Sequence, residues 1–171
     1  MPSNPQDSLI TEFDVKTIKE VRARDDEDLL DIARHFDLGQ NEIVYLNPKV
    51  DRWSPKKDTI VTLPSIRLLP DTQRKGIVLN LAEFRLYYYP KAARNAPAMV
   101  ITHPISIGRQ DWNTPLGKTK ITAKKENPTW TPPASIKKEH LEKGDPLPDV
   151  VPAGPDNPLG LYAMRLGIPG Y

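Results

Sequence analysis

Leu29, Ile32, Ala33 and Phe36 recur at i, i+3, i+4 and i+7, the apolar stripe of a short amphipathic helix. Asp25, Asp26, Glu27 and Asp28 precede it and place acids where the unpaired N–H groups and the dipole of a helix start favour them. Gly39 is expected to end this helix. A second helix is expected from about Asn41 to Leu46, stopped by Asn47 and Pro48. Alternation predicts one strand at Thr17–Val21 and another from Thr59 to the "LP" of Leu63 and Pro64. The predicted order is strand, helix, helix, strand.

Beyond a polar connector ending at Gly76 the period changes to two. Ile77–Leu81 and Phe84–Tyr89 read as a hairpin turning near Ala82 and Glu83, and "AMVITHPISIG" reads as a third strand. Gly108, Thr114, Pro115 and Gly117 then occupy a long hairpin connection whose return strand is Lys118–Lys124. One helix is expected here, with Thr131 as N-cap, Pro132 and Pro133 in the first turn, and Gly144 after the last turn. "LYAMRL" near the end reads as a well-packed strand. The fold class is α+β, a small helical unit followed by a mostly β one.

Composition adds the difference between the halves. Thirteen of the nineteen prolines fall from Pro90 onward, which favours short strands and ordered loops there. Lys and Arg number 24 against 22 Asp and Glu, a net charge of +2 that points to neither nucleic acid nor a polybasic membrane anchor. No apolar run approaches the roughly 18–20 residues of a membrane-spanning helix, and the first residues lack the basic start and apolar centre of a secretory signal. The chain has no cysteine, which removes disulfides, thiolate metal sites and thiol nucleophiles. Three separated histidines, His35, His103 and His140, make a poor metal set, and no metal or other cofactor is expected.

The acidic turn, "LLDIARHF", "NEIVYLNP" and the strand ending "LP" together resemble a LysM domain. The opening turn departs from that family, with "DDED" standing where Gly-Asp-Thr is usual. The resemblance implies a shallow groove that binds N-acetylglucosamine-containing glycans such as peptidoglycan, lined by Asp26, Asp28, Leu29, Asn47, Pro48 and Val50. Read without it, Leu29 is equally a core residue, Asn47 with Pro48 is equally a helix stop, and Trp53 packs on its own domain or stacks on a sugar.

"NLAEFRLYYYP", "PISIGRQDWNTPLGKT", "ENPTWTPPASI" and "VVPAGPDNPLGLYAMRLGIPGY" resemble the L,D-transpeptidase catalytic domain, or YkuD domain, of the ErfK/YbiS type. The expected organisation is a tail at 1–15, a LysM-like domain at 16–65, a connector at 66–76 and an incomplete catalytic domain at 77–171. Such enzymes use a cysteine thiolate to attack a peptidoglycan stem tetrapeptide, and an acceptor amine on another stem or on a lipoprotein resolves the acyl-enzyme. They work in the periplasm or cell envelope. Their His-Gly strand and Ser-His-Gly-Cys segment have no counterpart in this sequence, so the resemblance implies a transferase part that is inactive as it stands, with no catalytic residue to name. It places Asn157, Pro158, Leu159 and Gly160 at the substrate cleft, where a proline-fixed turn explains them equally well. Trp112 and Trp130 carry the same two readings. A glycan-binding module without catalysis and a structural partner protein stay open beside the enzymatic reading.

Overall fold

The computed structural model describes residues 19–92, 94, 97–108 and 114–168. The expected tail, the first two positions of the strand expected from Thr17, and Trp112 lie outside the described residues. The chain divides into two compact units, Met1–Thr114 and Pro115–Tyr171.

The first unit begins with strand β1 (Lys19–Arg22), helices α1 (Leu29–His35) and α2 (Gln40–Leu46) and strand β2 (Ile60–Leu63), in the order read from the sequence. β1 and β2 pair antiparallel, with Lys19 opposite Leu63 and Arg22 opposite Ile60. Leu29, Ile32 and Ala33 from α1, Ile43 from α2, and Ala23, Val61 and Leu63 from the strand side form its buried core. Helices this short are marginal alone, so their stability comes from this shared apolar face.

Two details differ from the expected pattern. Phe36 is not on the buried stripe but 42% exposed, because α1 ends at His35 and Phe36 is its C-cap, where the chain leaves the helical path. The reversal is made at Asp37, in the left-handed region at φ 54°, and not at Gly39. Gly39 has extended backbone and serves as the N-cap of α2, its N–H donating to Glu42 Oε2 at 2.9 Å.

A three-stranded antiparallel sheet completes the unit: β3 (Gly76–Asn80), β4 (Arg85–Tyr89) and β5 (Ile101–Pro104), with β4 central. Alternation along β4 sends Arg85, Tyr87 and Tyr89 to the buried face.

The second unit contains β6 (Ile121–Glu126), α3 (Ala134–Glu142) and β7 (Tyr162–Leu166). The return strand expected at Lys118–Lys124 starts later and pairs with β7 instead of closing a hairpin on β5. Gly117 sits at φ 118° in the connection, and the ladder with β7 begins at Ile121. Thr131 is not the N-cap. Prolines at 132 and 133 hold the residue before each of them extended, Trp130 bridges Val151, and the helix therefore begins only after Pro133. Gly144, at φ 77°, follows the last turn and donates to the Leu141 carbonyl at 3.1 Å, as expected of a C-terminal glycine.

Candidate functional site

The acidic turn before α1 and the loop after α2 are held together by the Leu29 N–H, which donates to the Arg52 carbonyl at 3.0 Å. Asp28 caps α1: its Oδ1 accepts from the Asp31 N–H at 2.7 Å, while Asp31 Oδ2 accepts from the Asp28 N–H at 3.2 Å. That backbone bond and the Arg34 guanidinium hold the Asp31 carboxyl below its usual range. Asp26 is exposed, beside a shallow depression of about 340 Å³ that Arg24 and Lys57 also line.

On the facing loop, Asn47 is buried, its Nδ2 donating to the carbonyls of Ile43 and Thr62 at 2.8 Å and its Oδ1 accepting from the Thr62 N–H at 2.8 Å. These bonds tie the end of α2 to β2. Pro48 is exposed, and Val50 packs against the core edge while its N–H donates to the Asn47 carbonyl at 3.0 Å. Asp51 Oδ1 accepts from the N–H groups of Trp53 and Ser54 at 2.8 and 2.9 Å, which pulls its carboxyl pKa down. The same turn presents Trp53 65% exposed, with the Arg52 guanidinium 4.7 Å from its ring centre. Of the six residues expected at a groove, Asp26 and Pro48 are exposed and Asp28 and Val50 are half-buried. Leu29 has no exposed area and Asn47 almost none.

Sequence reasoning missed the charged cluster behind α2. The Glu42 carboxylate accepts from Arg67 Nη1 and Nη2 at 2.8 and 3.1 Å and from Arg85 Nε and Nη2 at 2.8 and 2.9 Å. Arg85 is buried and also donates to Thr102 Oγ1 at 3.0 Å and to the Asp37 carbonyl at 3.3 Å. His103 Nδ1 pairs with Asp37 Oδ2 nearby. The cluster thus bolts α2 to the connector and to the centre of the β3–β5 sheet. A sequence signal did exist: the period of two in "RLYYY" puts Arg85 on the same buried face as two tyrosines, where an arginine requires a carboxylate. Tyr87 beside it donates to Glu83 Oε2 at 2.8 Å, and burial together with that carboxylate pushes its phenol up to about 12.

Burial pushes the Glu42 carboxyl up, but the Arg85 hydrogen bond, the Gly39 amide and the charges of Arg67 and Arg85 outweigh it and hold the group below its ordinary 4.5. The native state therefore binds this proton less readily than the unfolded chain does. The resulting stability is fully present above pH 4.5 and is lost as pH falls through the lower folded-state value. Urea midpoints followed from about pH 6 to about pH 3 should fall more steeply for the parent chain than for Glu42→Gln. Parallel curves would show that Glu42 carries none of the acid sensitivity.

In the second unit Asn157 is buried and knits the proline-rich loop. Its Nδ2 donates to the carbonyls of Pro128 and Pro152 at 2.9 and 3.0 Å, and its Oδ1 accepts from the Leu159 N–H at 2.9 Å. The Asn127 N–H donates to the Leu161 carbonyl at 2.8 Å, and Trp130 exchanges backbone bonds with Val151 at 2.9 and 2.8 Å. Pro158, Leu159 and Gly160 are exposed on this loop, with Gly160 at φ 66°. Asn157 thus sets the loop that displays its three neighbours.

Residues 74–167 match the family model of the L,D-transpeptidase catalytic domain, YkuD. The chain belongs to the YkuD family. It is 47% identical over 136 residues to Probable L,D-transpeptidase YbiS of Escherichia coli K12, an alignment covering 79% of this chain and 43% of that relative. It is 43% identical over 141 residues to Probable L,D-transpeptidase YcfS of the same strain, covering 81% and 43%, and 40% identical over 136 residues to Probable L,D-transpeptidase ErfK/SrfK of Salmonella typhimurium, covering 79% and 43%. The chain therefore spans less than half the length of these relatives. Each alignment is longer than the YkuD match, so the likeness continues into residues ahead of 74. The loop Asn157–Gly160 falls inside the YkuD match, and the residues expected at a glycan groove, from Asp26 to Val50, fall outside it.

Proposed function

We propose that this chain serves peptidoglycan L,D-transpeptidation in the periplasm or cell envelope, as a glycan-holding module joined to part of the YkuD domain. The YkuD match over more than half of the chain is the observation that carries this reading. The substrates are peptidoglycan glycan strands and stem peptides, with a second stem or a lipoprotein lysine as acceptor. The family's acyl transfer needs a cysteine thiolate, and this chain contains no cysteine, so the 171 residues alone form no acyl-enzyme. Their part in the reaction is to hold the glycan and to shape the cleft through the loop Asn157–Gly160.

Residues 16–65 are proposed to be a LysM-type module. Its strand–helix–helix–strand order, its tied loops and its exposed Trp53 support that reading. Asp26, Asp28, Pro48 and Val50 form the groove surface, and Leu29 and Asn47 shape it from beneath. Among the described residues no helix is long and apolar enough to cross a membrane. Calorimetric titration of the chain with an N-acetylglucosamine tetramer should give a saturable heat, which Val50→Asp should reduce about tenfold or more in affinity by placing a charge at the apolar rim. Equal affinity for Val50→Asp would remove this groove from the glycan site.

A further inference from the structure

A second depression, of about 360 Å³, opens in the first unit between α2, the connector and the turn from β3 to β4. That volume is in the range of small-ligand sites, roughly 300–1,000 Å³. Tyr45 is 78% exposed and Leu68 84% exposed at its rim, a cost that nothing in the packing of the described residues requires. Phe84 lines it too, and its backbone sits in the left-handed region at φ 53°. A bulky aromatic residue is seldom found there, and such strain persists where the surrounding structure holds a side chain in a required place.

The charges around this depression balance in sum, the guanidiniums of Arg67 and Arg85 against the carboxylates of Glu42 and Glu83. Arg67 is engaged by Glu42, and Glu83 accepts from the Tyr87 hydroxyl. An anionic ligand would have to compete with Glu42 for its cation, and a cationic one would meet guanidinium groups in the floor. A neutral ligand with apolar faces and hydroxyl edges loses nothing to these pairs. It can lay a ring face on Tyr45 or Phe84, set a methyl against Ile66 and Leu68, and bond its hydroxyls to Asn41 and Glu83.

We propose that this depression is a second glycan subsite, for a neutral N-acetylated hexosamine, separate from the groove proposed at Asp26, Asp28, Pro48 and Val50. The choice of sugar rests on the peptidoglycan reading above. The Glu42 cluster fixes the three segments that build it, so a strand engaged here is held against the β3–β5 sheet.

The test is a titration of the isotopically labelled 171-residue chain with an N-acetylglucosamine tetramer, following backbone amides by NMR. Amides of Tyr45, Leu68 and Phe84 should move with the sugar, and Tyr45→Ala should weaken that set about tenfold while leaving the response of the Asp26, Asp28 and Val50 amides unchanged. Phe84→Gly, which removes the ring and relaxes the left-handed backbone, should weaken the same set without lowering the thermal midpoint. Shifts confined to Asp26, Asp28 and Val50 would overturn the second subsite and leave the first. Shifts confined to Tyr45, Leu68 and Phe84 would support the second and remove the first. No shift in either set would overturn both, and a response at Tyr45, Leu68 and Phe84 that survives both variants would overturn the assignment to these rings.

Discussion

Glu42→Ala is expected to destabilise the first unit by about 3–5 kcal/mol, the cost of leaving a buried charge without its partner. Arg85 is the reason. It is almost wholly buried, and Glu42 supplies two of its four hydrogen bonds through both carboxylate oxygens. Alanine would also strand the Gly39 N–H and release Arg67. Typical domain stability is about 5–15 kcal/mol, so the variant should show a much lower urea midpoint or fail to fold cooperatively. The double variant Glu42→Met with Arg85→Met supplies the contrast. With both charges gone and the volume filled, it should recover much of the loss, and a cycle through the single variants should give a coupling well above 1 kcal/mol (roughly). A Glu42→Ala midpoint within error of the parent would show that the cluster is a surface ornament and not a bolt.

Leu29→Ala is expected to cost about 2–5 kcal/mol, since the side chain has no exposed area and its removal leaves a cavity. Among the described residues, six other buried residues make up the core around it, so there is little material to collapse into the gap. Leu29→Ile conserves volume and should lose less than about 1.5 kcal/mol. Urea unfolding distinguishes these sizes directly. It also separates two roles: if Leu29 shapes the groove from beneath, the isoleucine variant keeps sugar affinity along with stability, whereas loss of affinity at full stability would mean that Leu29 itself meets the ligand.

The helical half was legible because its signals are local. A period near 3.6 through Leu29, Ile32 and Ala33, an acidic cap and the Asn47–Pro48 stop lie within about twenty residues. Caps were less legible, since the competing groups are backbone ones: Asp37 took the left-handed turn that Gly39 was expected to make, and two prolines moved the start of α3 past Thr131. Strand partners were harder still. The alternation that marks β6 as a strand says nothing of whether β5 or β7 stands beside it.

The Glu42 cluster shows the same limit at the candidate site. Its members lie 25 and 43 residues apart, joined only by the fold. With a helix stop and a proline-fixed turn as the alternatives, the resemblances place Asn47 at a glycan groove and Asn157 at the substrate cleft. Their burial and their bonds to Thr62, Pro128 and Pro152 give each a loop to hold, a role that spacing alone does not reveal.

Peptidoglycan itself is the most direct test of the glycan-holding role. Purified sacculi mixed with the 171-residue chain and spun down should carry the protein into the pellet, and a chain bearing both Val50→Asp and Tyr45→Ala should stay in the supernatant at the same concentration. Parent protein that remains in the supernatant would contradict peptidoglycan binding by this chain.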